Sequence, residues 1–112
     1  MNRFEIWIAD LNPRQGTEAG KMRPVVVVQT DLLNGKHSST IVCPLTTNVV
    51  AGLNRMRVHL TVGEAGLTAE SDILVDQIRA IDNRRFMQKV GALPISAQEK
   101  LEENLKIILD LI

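Results

Sequence analysis

The chain has one cysteine, Cys43, so no disulfide can form within it. Its 13 Lys/Arg and 13 Asp/Glu cancel, so the totals carry no excess of one sign that would by itself point to nucleic acid. No apolar run approaches the roughly 20 residues that a bilayer-spanning helix needs. There is no GxxxxGK[ST], GxGxxG, CxxC or HExxH, which removes the common phosphate-loop, dinucleotide and zinc signatures. The carboxylates are scattered without ligand spacing, so nothing in the sequence supports a metal site, and no cofactor is expected. Glu5 falls where a secretory leader would begin its apolar segment. With a lone cysteine read as a small buried apolar residue on a strand, this makes a reducing, cytoplasmic setting the expectation.

What is present suits one small domain spanning 1–112. The 112 residues are 45% hydrophobic and 23% charged, enough for one core in a soluble chain. Charge is unevenly spread. Residues 1–95 carry 11 Lys/Arg against 9 Asp/Glu, and residues 96–112 carry 2 against 4. A mildly basic body with an acidic tail is compatible with RNA binding without requiring it.

Short strands dominate. Phe4–Asp10 alternates, with Phe4, Ile6 and Ile8 on one face and Glu5 and Trp7 on the other. Leu11–Met22 contains Asn12-Pro13, Gly16 and Gly20, a loop long enough to suggest function. Pro24–Thr30 holds Val25-Val26-Val27-Val28, a β-branched run expected to be buried on both faces. Asn34-Gly35 marks a turn, Thr40–Thr46 a third strand, and Asn48–Arg55 another loop. Met56–Val62 alternates, with Met56, Val58, Leu60 and Val62 on one side and Arg57, His59 and Thr61 on the other. Gly63–Glu70 reads as a turn or one short helical turn. Asp72–Ile81 reads as a strand kinked near Asp76, Arg84–Met87 as a short helix, and Lys89–Leu93 as a last strand.

Ser96-Ala97-Gln98-Glu99 has the spacing of a capping box. After it, Leu101, Leu105, Ile108, Leu109 and Ile112 share a helical face, and Glu102 and Lys106 form an i,i+4 pair opposite. Several short strands followed by one amphipathic helix predict a mainly β fold with a C-terminal helix, built as a small barrel or curled antiparallel sheet. Strands do not alternate with helices, which argues against a parallel βαβ sheet.

The chemistry-bearing feature lies where the first loop ends. Gly16-Thr17-Glu18-Ala19-Gly20-Lys21-Met22-Arg23-Pro24 runs straight into the valine strand, so Arg23 sits at the mouth of a rigid element with Pro24 fixing the backbone after it. Pro44-Leu45-Thr46-Thr47 ends the next strand in two hydroxyls. If both strands meet at one edge, a guanidinium and hydroxyls converge on a place suited to phosphate. The alternative is an Arg23–Glu18 surface pair beside a strand-end threonine. His37 and His59 read as surface histidines.

These motifs resemble the MazF/PemK family of toxin endoribonucleases from toxin–antitoxin modules, over nearly the whole chain. The resemblance is carried by Glu5-Ile6-Trp7 with Asp10-Leu11-Asn12-Pro13, by Gly16-Thr17-Glu18 with Arg23-Pro24-Val25-Val26, by Cys43-Pro44-Leu45-Thr46-Thr47, and by Asp76-Gln77-Ile78-Arg79-Ala80-Ile81-Asp82. It implies an SH3-like barrel with a C-terminal helix. It also implies a homodimer that cuts single-stranded mRNA at a short sequence, and an antitoxin that covers the site. By alignment the family's catalytic arginine falls on Arg23 and its threonine on Thr46. An Asp, Arg and His set proposed in the PemK branch finds only its Asp, at Asp76; the other positions hold Leu74 and Thr17. Many relatives have glycine where this chain has Lys21, and here Gly20 comes one place earlier.

The implied chemistry needs no metal, because RNA supplies its own 2′-OH nucleophile and the enzyme orients in-line attack and stabilises the charged phosphorane. Arg23 is expected to stabilise charge, Thr46 to orient a phosphate oxygen, and Glu18 to act as base. Thr17, Lys21, Thr47, Arg55, Asp76, Gln77 and Arg79 are expected to contact RNA, with Arg57, Arg84 and Arg85 as further phosphate candidates. Trp7 is expected to pack in the fold or a dimer rather than stack on a base. Two other functions fit the fold class: a gyrase poison of the CcdB type, and a non-catalytic binding module. The first resembles its relatives through a Trp-Gly-Ile ending, whereas this chain ends Leu109-Asp110-Leu111-Ile112. Arg23 and Thr46 count against the second.

Overall fold

A computed structural model describes residues 1–13 and 15–111. The elements run β1 (Glu5–Asp10), β2 (Met22–Val27), β3 (Ser39–Thr46), β4 (Arg57–Leu60), β5 (Ser71–Leu74), β6 (Arg79–Asp82), β7 (Phe86–Ala92) and α1 (Ile95–Ile108), with three short 3-10 turns. Every strand pairing is antiparallel. The strand order is β4-β5-β3-β2-β1-β7, with β6 also on β3, so the sheet curls without closing. The mainly β fold with a C-terminal helix is as expected.

The valine run explains the centre of the molecule. Val26 and Val28 face one apolar cluster with Ile6, Leu45, Leu60, Ile73 and Leu101, while Val25 and Val27 face a second with Ala9, Leu11, Val42 and Ile81. Val25, Val26 and Val27 are fully buried. β2 is therefore covered on both sides, and it lies between β1 and β3. Helix α1 closes the first cluster through Ala97, Leu101 and Leu105.

Several sequence expectations shift. Asp72–Ile81 is not one strand. It breaks at a 3-10 turn, Val75–Gln77, because its two ends pair with different stretches of β3: Asp72 lies opposite Thr46, and Arg79 opposite Val42. The turn steps the chain around a corner of the curled sheet. The helix expected at Arg84–Met87 is a 3-10 turn at Asn83–Arg85, and Phe86 and Met87 already belong to β7. In β1, Ile6 faces the first cluster but Trp7 and Ala9 reach the second, with irregular pairing to β7 on either side of Trp7 and Ile8. Met56 and Val62 lie outside β4 and are exposed, whereas Val58 and Leu60 are buried.

The capping box does not form. Pro94 is the N-cap, its carbonyl taking the N–H groups of Ala97 and Gln98, and no side chain caps the helix. Proline's fixed φ suits it to the start of a helix, so α1 begins two residues early and Ser96 falls inside the first turn. Glu102 pairs with Arg3 at 3.3 Å instead of Lys106. Leu109 is the C-cap and is exposed, and Ile112 lies outside the described residues.

Candidate active site

Arg23 sits on β2 opposite Ala9 of β1. The β2–β3 register, Val25 against Pro44 and Val26 against Cys43, runs on to put Arg23 level with Thr46. Both line one cleft of about 440 Å³, with Lys21, Met22, Pro24, Leu45, Thr47, Asn48 and Ser71. The strands thus do meet at one edge, and the guanidinium and hydroxyls share a cavity.

The half-buried Arg23 is oriented by backbone. Its Nε donates to the Gly20 carbonyl at 2.7 Å, and Nη1 to the Leu45 carbonyl at 3.2 Å. One carbonyl comes from the loop and the other from β3, so the plane of the guanidinium is set by two elements. Thr46 Oγ1 accepts the Asn48 N–H at 3.1 Å. A hydroxyl that accepts there keeps its own O–H as a donor. A planar cation and a hydroxyl donor on one wall suit the oxygens of a phosphodiester.

Lys21, on the rim, has φ +68, the left-handed region that favours glycine. Gly20, one place earlier, is not among the left-handed residues. The backbone turn that glycine makes comfortably is made here by lysine. Asn12 helps hold it: Asn12 Oδ1 accepts the Lys21 N–H at 2.8 Å, and the Lys21 carbonyl accepts the Leu11 N–H at 2.9 Å.

Glu18 is not on the wall of this cleft. With Thr17, Asp76, Gln77, Ile78 and Arg79 it lines a second cleft of about 230 Å³, and the two share no lining residue among those described. Six expected RNA contacts therefore divide between two hollows, Lys21 and Thr47 on the first and Thr17, Asp76, Gln77 and Arg79 on the second, while Arg55 is exposed on a loop and lines neither.

Three further arginines have other partners. Arg57 donates to Asp72 Oδ2 at 3.1 Å and to the Asn48 carbonyl at 3.0 Å. Arg84 folds onto Asp82. Arg85 Nη1 holds the carbonyls of Asp10 and Asn12 at 2.9 and 2.7 Å. Trp7 packs edge-on against Phe86, with centroids 6.1 Å apart, and donates to Glu5 Oε1 at 3.1 Å. Glu5 is pushed up by burial, but the Asn2 N–H, Lys89 and Trp7 outweigh this and hold it at about 2. Burial pushes the Cys43 thiol up to about 12, so it is a packed apolar group rather than a nucleophile.

Asp72 is the residue that sequence patterning passed over. It is buried and accepts three donors: the Val50 N–H at 3.1 Å, Arg57, and His59 Nδ1 at 2.9 Å. Burial pushes its carboxyl up, yet the His59 bond and these other donors hold it below the usual range. His59 Nε2 also pairs with Glu70 at 2.7 Å, and the Asp72 bond leads in raising its imidazole pKa. This network fastens the Asn48–Arg55 loop. No alternation or motif marks it, because its members come from β4, β5 and the loop. Among the described residues, no group of three or more His, Cys, Asp or Glu is arranged to hold a metal.

Comparisons with known proteins give the family and the fold. A family model described as "PemK-like, MazF-like toxin of type II toxin-antitoxin system" matches residues 2–109. Endoribonuclease EndoA of Bacillus subtilis is 34% identical over 112 residues, spanning 100% of this chain and 97% of the relative. Endoribonuclease MazF9 of Mycobacterium tuberculosis is 36% identical over 117 residues, spanning 99% and 98%. A crystal structure of MazF from Deinococcus radiodurans shares the fold with TM-score 0.83 at 22% identity, over 98% of this chain and 96% of that one. The chain belongs to the PemK-like, MazF-like toxins of type II toxin–antitoxin systems.

Proposed function

We infer that this MazF-type endoribonuclease cuts single-stranded mRNA at a short sequence by directing a ribose 2′-OH onto the adjacent phosphorus, leaving a 2′,3′-cyclic phosphate and a 5′-OH. The observation that carries the reading is the single cleft lined by Arg23 and Thr46, with the guanidinium oriented by Gly20 and Leu45. Arg23 stabilises the dianionic phosphorane and can hand a proton to the leaving oxygen; a guanidinium is a poor ground-state base. Thr46 donates to a non-bridging oxygen. Glu18 serves as the base, which requires its loop to bring the carboxylate within hydrogen-bond reach of the 2′-OH beside the phosphate held in the first cleft. Lys21 and Thr47 contact RNA on the first cleft, and Thr17, Asp76 and Arg79 on the second, with Arg55 outside both.

In this reading the whole chain is one toxin domain, acting in the cytoplasm as a homodimer restrained by a MazE-like antitoxin. Relatives support the partner: one solved structure is an endoribonuclease with its cognate antitoxin from a mycobacterial species, and another is MazE–MazF from Deinococcus radiodurans. No helix among the described residues is long and apolar enough to cross a membrane.

The test uses a short RNA and its analogue bearing one 2′-deoxy nucleotide on the 5′ side of the scissile bond. Cleavage of the RNA should persist in excess EDTA and give the cyclic phosphate, while the analogue binds uncut. A 5′-phosphate product, or cutting of the analogue, would mean that water attacks, and would overturn the mechanism.

A further inference from the structure

We propose that Gln77 is a positioning residue for Arg23, acting through the β1–β2 loop rather than chiefly through RNA. The proposal rests on Arg23 being the charge-stabilising group. Gln77 ends the 3-10 turn between β5 and β6 and is half-buried. Its side-chain amide makes two bonds to one stretch of loop: Oε1 accepts the Ala19 N–H at 2.8 Å, and Nε2 donates to the Thr17 carbonyl at 3.3 Å. A planar amide bonded at both ends fixes a segment in place and in angle.

The next residue carries the consequence. Ala19 is buried in the second apolar cluster, and Gly20 presents the carbonyl that accepts Arg23 Nε at 2.7 Å. From the other side Arg85 holds the carbonyls of Asp10 and Asn12, and Asn12 holds the Lys21 N–H. The Gly20 carbonyl is thus braced between Gln77 on one flank and the Arg85–Asn12 pair on the other. Removing the Gln77 brace lets that carbonyl move, and the guanidinium with it. A displacement of about 1 Å at a catalytic group can cost roughly a hundredfold in rate.

A contact with RNA and a brace on Arg23 predict different kinetics. Losing an RNA contact raises KM, whereas a displaced Arg23 lowers kcat with binding kept. The experiment compares Gln77→Ala, Arg23→Ala and the double variant in steady-state and single-turnover cleavage of one short RNA, and follows the Arg23 Nε–Hε resonance in wild type and Gln77→Ala. The expected result is a kcat lowered roughly tenfold or more with KM within about twofold, and almost no further loss when Gln77→Ala is added to Arg23→Ala. The Arg23 resonance should shift and exchange faster in Gln77→Ala while the remaining amide spectrum stays folded. Gln77→Glu keeps the acceptor for Ala19 and should recover part of kcat. A raised KM at unchanged kcat, additive losses in the double variant, or an unmoved Arg23 resonance would each overturn the proposal. The resonance reads the brace independently of chemistry. Full activity in Arg23→Ala would instead remove the underlying assignment of Arg23.

Discussion

Asp72 lies directly opposite Thr46 in the β3–β5 ladder, so the two side chains stand on one face of the sheet. Thr46 lines the cleft it shares with Arg23, and Asp72 fastens the loop that follows Thr46 through Val50 and Arg57. The threonine wall of the cleft is therefore held by a buried carboxylate, as the arginine wall is held by the Gly20 carbonyl.

Arg23→Ala and Thr46→Ala should each lose cleavage on the order of a hundredfold or more, as removal of a transition-state donor does, while circular dichroism stays that of a folded protein. Neither side chain is in the apolar clusters, so folding should survive both changes. A folded Arg23→Ala protein that cuts near the wild-type rate would remove the site assignment.

The pH dependence of stability should carry two signed contributions from the Asp72 network. His59 is raised, so its contribution is complete below the ordinary histidine value and disappears as pH rises through the raised one. Asp72 is lowered, so its contribution is complete above the ordinary aspartate value and disappears as pH falls through the lowered one. Thermal melts across pH should show wild type losing stability on the alkaline side of the histidine range, and His59→Gln should lack that loss. Because neither histidine is placed on the Arg23–Thr46 cleft, the His37→Ala, His59→Ala double variant should keep most of its cleavage at pH 7. A collapsed rate in the folded double variant would bring a histidine into the mechanism.

Lys21→Gly separates strain from charge. Glycine accepts φ +68 without the Cβ clash, which offsets its greater freedom when unfolded, so stability should stay within about 1 kcal/mol of wild type. If Lys21 touches a phosphate, KM should rise and the salt dependence of RNA binding should become shallower by about one unit of slope. An unchanged slope would place Lys21 outside the RNA path.

An antitoxin segment that occupies the cleft should be flexible and carry acidic and apolar side chains, to answer Arg23, Lys21 and the exposed Met22. Calorimetry should then show weaker binding to Arg23→Ala. An affinity indifferent to that change would place the antitoxin elsewhere on the toxin.

Local pattern made part of this legible in the sequence. The valine run could only be a strand covered on both sides, and placing Arg23 and Thr46 at adjacent strand ends was enough to bring them together. Long-range polar contacts were invisible to it. Arg57 and Arg85 look like phosphate contacts until Asp72 and the carbonyls of Asp10 and Asn12 engage them. Glu18, read beside Arg23, turns toward the second cleft with the loop that Gln77 clips. The capping box failed for a local reason: Pro94 starts the helix before Ser96 can.

Synthesis runs from the N-terminal side, so Arg23 and Thr46 leave the ribosome well before Asp72 and Gln77. Gln77 reaches back 58 and 60 residues to the loop it clips. A nascent chain that has emerged only as far as β4 holds Arg23 and Thr46 but neither brace. Its arginine is not held in an oriented fork, and its threonine loop is not pinned. On this reading the enzyme cannot cut the message that is encoding it until most of its own sheet has been made, and the long reach of two side chains sets the order in which a toxic activity comes into being.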